Sequence, residues 1–150
     1  MSKLSLSEIV YGVCKIHARK DKIEFLRQNN SLQLRDILKI MYDKNLKLLI
    51  PSEAPPYNQS PMPDSHGKLY SECRKLKHFV EGYSGNLNNI RREKIFIEML
   101  ESVDKDDALL LIDMIKQKPL KGLTASVINE AFGFELVPEN NKEKKEEENV

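Results

Sequence analysis

Apolar residues recur at helical spacing along almost the whole chain, with polar residues filling the positions between. Leu6, Ile9, Val10, Val13 and Ile16 form one stripe, and Ser5 with Glu8 makes a capping box, so a first helix is predicted over 5–18. Asp21 is placed to cap a short second helix carrying Ile23, Phe25 and Leu26. Ser31 is placed to cap a third, with Leu34, Ile37, Leu38 and Met41 on one face and an end near Lys44 and Asn45. Leu46 to Ile50 fits either a continuation of that helix or an extended run against the core, and Pro51 ends it. Five of the seven prolines then fall between Pro51 and Pro63, with Tyr57 and Asn58 among them, which predicts an irregular internal loop over 51–66.

The stripe resumes with Leu69, Cys73, Leu76 and Val80 on a fourth helix, and Gly82 and Gly85 mark the turn after it. Ile95, Phe96, Met99, Leu100 and Val103 line a fifth. Asp104 caps a sixth, in which Ala108, Leu111, Ile112 and Ile115 face one way and Leu109, Leu110 and Met114 another. A helix apolar on two sides is expected to be central. Pro119 stops it, Thr124 opens a last helix, and Gly133 closes that one. With no strand alternation and no internal repeat, the expectation is a single all-α domain of about seven helices over 1–137.

Composition refines this picture in two places. The chain has 150 residues, enough for one good core, and its 24 basic and 23 acidic residues give net +1. Five Glu and three Lys in 138–150 give that segment −2 and leave the body before it at +3. A mildly basic domain with a disordered charged tail over 138–150 is expected. No apolar run is long enough for a bilayer or a signal peptide, and two cysteines without an export signal read as reduced thiols, so a cytoplasmic protein with no membrane partner is expected.

The chemistry points toward binding. Cys14 with His17 and Cys73 with His78 offer metal-type donors, but positions five apart on a helix diverge, so no metal site is expected. No phosphate-binding glycine loop, nucleophile elbow or metalloprotease motif occurs, so neither an enzyme, a cofactor nor a small-molecule substrate is expected. Three basic clusters stand out: Arg74–His78, Arg91–Lys94, and the connector holding Lys116, Lys118, Lys121, Gly122 and Thr124. In the second, cations occupy the first turns of a helix, where the dipole disfavours them. In the third, a glycine and a helix N-terminus sit beside lysines, which suits a phosphate. Each also has a plainer reading, as a solvated face or a helix-to-helix turn.

The run from Leu34 to Phe134 resembles the N-terminal DNA-binding domain of ATP-dependent DNA ligases, most closely the compact version of T-even-type bacteriophages. The resemblance lies in Leu34-Arg35-x-Ile37-Leu38-Lys39-Ile40-Met41-Tyr42 followed by Asn45-Leu46-Lys47, then Arg91-Arg92 and Asp106-Asp107-Ala108-Leu109-Leu110-Leu111-Ile112, and finally Gly122-Leu123-Thr124 leading to Ile128-Asn129-x-Ala131-Phe132-Gly133. The whole chain is also similar to small proteins of T-even-like and marine myoviruses. The resemblance implies a helical module that grips duplex DNA by its backbone without reading sequence, through Arg91 and Arg92 and through Lys121, Gly122 and Thr124. A ligase's Lys-x-Asp-Gly motif is absent, so a non-enzymatic phage accessory protein of replication or repair is expected, with Lys94, Lys116 and Lys118 adding phosphate contacts. The alternative is an adaptor with a ligase-like fold that docks a replication or host transcription protein, such as a sliding clamp or a polymerase subunit, through the proline-rich segment and an exposed Tyr57.

Overall fold

The α-helices whose N-cap is described begin, with one exception, where a short polar side chain can satisfy their unpaired amides. In a computed structural model that describes residues 4–51, 53, 55–58, 68–82 and 87–136, Ser5 and Glu8 close the capping box of α1 (Leu6–Cys14). The hydroxyls of Ser31 and Thr124 accept from Leu34 and Val127 and open α3 (Leu32–Tyr42) and α7 (Ala125–Phe132). Asn88 and Asp104 do the same for α5 (Asn89–Ser102) and α6 (Lys105–Lys116). The exception is α2 (Arg19–Gln28). It starts two residues before Asp21, at an Ala18 with no side-chain cap, and Asp21 instead lends its charge to the first turn.

The described residues form seven α-helices and one 3-10 helix, and no strand, as the periodicity predicts. The fourth element departs from that prediction in its winding. After α4 (Lys68–Glu72) the chain tightens into a 3-10 helix over Cys73–Phe79. Buried Cys73, Leu76 and Phe79 recur every third residue, as do exposed Arg74 and Lys77, which is the 3-10 period. Residues 46–50 do not continue α3. They run extended: Leu48 bridges Val80, with Leu49 N–H donating to the Phe79 carbonyl (2.7 Å) and Glu81 N–H to the Lys47 carbonyl (2.9 Å). The predicted tail at 138–150 and most of the 51–66 loop lie outside the described residues. Tyr57, expected to be exposed, is half-buried and packs against the core.

One apolar cluster links all the elements, with α6 at its centre against α1, α3 and α5. Phe79 and Phe96 meet edge to face at 5.4 Å. Several of the helices share a direction. Asp107 accepts from Ser7 N–H where α6 and α1 begin, and Asp113 accepts from the Tyr11 hydroxyl (2.5 Å) two turns on, so α1 runs parallel to α6. The Gln117 side chain reaches the last carbonyls of α3, so α3 is parallel as well. Leu32 and Gln33 lie beside Tyr70 and Ser71, and Ile40 beside Leu76, so α4 and its 3-10 extension also run alongside. α5 runs the other way, its Ser102 hydroxyl meeting Glu72, and α2 carries the chain back from the end of α1 to the start of α3. Four helical elements therefore end at one pole of the molecule.

Candidate nucleic-acid interface

At this pole the connector from α6 to α7 is stitched to every neighbouring helix end. Gln117 terminates α6 in the left-handed region (φ 51°), a conformation that costs a non-glycine residue about 1 kcal/mol. Its side-chain amide compensates by donating to the carbonyls of Ile40 (3.1 Å), Asp43 (3.3 Å) and Leu46 (3.1 Å). Nothing in the sequence singles out Gln117, because its partners lie more than seventy positions upstream. The Tyr42 hydroxyl works in both directions, accepting from Leu120 N–H (2.8 Å) and donating to the Leu123 carbonyl (2.5 Å). Burial pushes its pKa up, outweighing the opposing effect of the Leu120 bond, and keeps the hydroxyl neutral.

Gly122 is where the expectation needs correcting. Its φ is +93°, and a Cβ there would stand 2.3 Å from the Cys14 carbonyl oxygen. The close approach that this glycine permits is to the end of α1, four residues short of the predicted boundary, rather than to a phosphate. Its own carbonyl accepts from the Lys22 ammonium. Leu123 is fully buried. The turn thus faces inward, and only Lys121 and Thr124 of the Lys121–Thr124 segment are exposed. The Thr124 hydroxyl caps α7.

Arg92 is a second correction. It is only 7% exposed, and its guanidinium donates to the carbonyls of His78 (2.9 Å) and Leu87 (2.8 Å) and to the Asn89 side chain (2.8 Å). A cation in the first turn of α5 is unfavourable for the dipole, and here it is held by acceptors from the end of the 3-10 helix. Arg92 is therefore a fastener between two elements. Arg91 and Lys94 on the same helix are exposed.

Most of the remaining predicted residues lie at this pole, while Lys94 stands farther along α5 among Glu93, Glu98 and Glu101. Lys116 and Lys118 flank Gln117 at the end of α3, and Lys121 lies beside the α1–α2 corner. Lys47 and Lys77 meet across the Leu48–Val80 bridge, and Arg91 begins the helix fastened to His78. These cations are exposed and make no ion pair among the described residues. Sequence reasoning missed the α1–α2 corner, where exposed Lys15 and Lys20 stand near Arg19, which pairs with Glu130 of α7 (3.2 Å); the density of cations between Lys15 and Lys22 was the available signal. Arg74 stands apart, near the start of the 3-10 helix. Lys75 pairs with buried Glu72 (2.9 Å).

Burial governs both thiols. No cluster of metal-type donors occurs among the described residues. The Cys73 thiol is pushed up to about 12 by burial and then by Asp36, Asp107 and Glu72, so it stays protonated. Burial also raises Cys14, against a smaller opposing pull from Lys22.

With this geometry established, a family model described as "family of unknown function (DUF6433)" matches residues 9–122. The chain belongs to that family. The match runs from α1 to the connector glycine and takes in every residue expected at the site except Thr124. No curated protein and no solved structure matches the chain. Among the described residues, no helix is long and apolar enough to cross a membrane.

Proposed function

We propose that the protein is a non-enzymatic, sequence-independent binder of duplex DNA, holding the phosphate backbone at the pole where the helices end, and that it serves as a phage-type accessory in replication or repair. The observation that carries this is the unused charge there. The helix ends are satisfied by Gln117, Tyr42, Lys22 and Arg92, which leaves Arg91, Lys94, Lys116, Lys118 and Lys121 exposed with no structural partner among the described residues. The resemblance to the ligase module supplies the kind of partner. Gly122 and Arg92 drop out of the contact set, which shrinks to cations plus the Thr124 hydroxyl.

Helix C-termini carry partial negative charge, so part of this positive field is cancelled locally and the affinity is modest. Five phosphate contacts give a slope of about −4 to −5 in log K against log salt. Fluorescence anisotropy with two labelled duplexes of unrelated sequence is expected to give equal affinities. Lys118→Glu with Lys121→Glu is expected to weaken both by at least about tenfold. Absence of duplex binding at low salt, or indifference to those reversals, overturns the reading in favour of the adaptor role.

A further inference from the structure

A trough runs from the basic pole back along the bundle, between α3 and the α4–3-10 element. Two cavities of about 560 and 290 Å³ adjoin, since Asp36, Cys73 and Arg74 line both. Its floor is apolar: Ile40, Leu76 and Val80 are buried and Leu46 is half-buried. Its rim is cationic. Lys39, Arg74 and Lys77 are exposed, and among the described residues Asp36 is the one carboxylate lining either cavity. None of the three cations makes an ion pair among the described residues, although Lys39 and Arg35 favour the charged form of Asp36 against its burial. Leu32 stands 60% exposed at the open end.

The winding of the chain gives this rim a definite spacing. In a 3-10 helix residues three apart eclipse one another, which puts Arg74 and Lys77 in line about 6 Å apart. Carboxylates at i and i+4 on an α-helix are also about 6 Å apart, and they flank an apolar face. A phosphate backbone would satisfy the rim yet offer nothing to the floor. The segment 138–150 has acids but, between Pro138 and Val150, no apolar side chain to bury.

We propose that this trough docks an acidic amphipathic helix of a protein partner, its apolar face on Ile40, Leu46, Leu76 and Val80 and its i, i+4 carboxylates on Arg74 and Lys77. This does not rest on DNA binding, because the trough rim holds none of the five cations assigned to the duplex, although Lys77 stands where the trough reaches the pole. The test is an NMR titration of the ¹⁵N-labelled full chain with a synthetic helix of ~18 residues bearing a leucine face and Glu at i, i+4, and with its Lys-for-Glu counterpart.

The acidic helix is expected to shift the amides of Ile40, Leu46, Leu76 and Val80 with a Kd below about 100 μM at low salt, and the basic one to leave them unmoved. Arg74→Glu with Lys77→Glu is expected to weaken binding by at least about tenfold, and Lys39→Glu by less. Lys116→Glu with Lys118→Glu, at the pole, is expected to change it by less than about twofold. Retained dispersion in the variants' spectra shows that they fold. The proposal fails if both helices bind equally, if the floor amides stay unmoved at millimolar peptide, if a single-stranded oligonucleotide displaces the helix, or if deleting 138–150 moves the same floor amides.

Discussion

The two poles of the bundle are built from charges of opposite sign that do different work. At the pole where α1 and α6 begin, the acids are structural. Glu8 closes the capping box, Asp104 caps α6, buried Asp107 accepts from Ser7, and Glu72 ties Lys75 to Ser102. At the pole where the helices end, the capping work is done by an amide, a phenol, an internal lysine and a buried arginine, and the other cations are left at the surface. Charge complementing a helix dipole is therefore no sign of function at the first pole. At the second pole the question is whether the cations exceed what the dipole and the turns require.

The connector glycine separates these roles most sharply, because it sits among the lysines and belongs to the scaffold. Gly122→Ala forces a Cβ onto the Cys14 carbonyl at a positive φ, whereas Gly133→Ala meets nothing within 4 Å and carries only the backbone penalty. Urea denaturation is expected to show a loss of about 3 kcal/mol or more for the first and about 1 kcal/mol for the second. Equal losses would mean that the turn is not pressed against α1, and Gly122 would return to the list of residues available to a phosphate.

Why the helices were readable while this turn was not follows from the range of the interactions. Ser5, Ser31, Asp104 and Thr124 cap with partners three residues away, and the stripes of α1, α3 and α6 repeat within a single element. Gly122 meets Cys14, and Gln117 meets Ile40, across distances in sequence that no local pattern encodes. The 3-10 winding is hidden in the sequence because Leu69, Cys73, Leu76 and Val80 also suit an α stripe, while the period of three emerges only when Phe79 and the exposed Arg74 and Lys77 are read with them. For the site, the sequence names the cations but not which of them turn inward, as Arg92 does.

Arg91 and Arg92 make that distinction between adjacent residues. Arg92→Met leaves the carbonyls of His78 and Leu87 without their donor and is expected to cost about 2 kcal/mol in urea denaturation, with duplex affinity unchanged while the protein is folded. Arg91→Met is expected to leave stability within about 0.5 kcal/mol and to weaken duplex binding about threefold. The opposite pattern would make the buried guanidinium the functional group and collapse the distinction between fastening and surplus charge.

The smallest effects test the poles against each other directly. Asp104→Ala removes a cap whose carboxylate accepts from Asp107 N–H at 2.9 Å, and a lost cap of this kind costs about 1 kcal/mol. Lys118→Ala removes a charge just past the end of α6 that touches no acceptor among the described residues, so only its interaction with the dipole is lost, about 0.3 kcal/mol in dilute buffer. That residue of stability is expected to vanish in about 0.5 M NaCl, because an exposed charge is screened there, while the Asp104 loss persists as a missing hydrogen bond. A Lys118→Ala cost as large as the cap's, and insensitive to salt, would mean that the lysines hold the helix ends together. The end pole would then be the mirror image of the start pole, and no charge there would be left over for a partner.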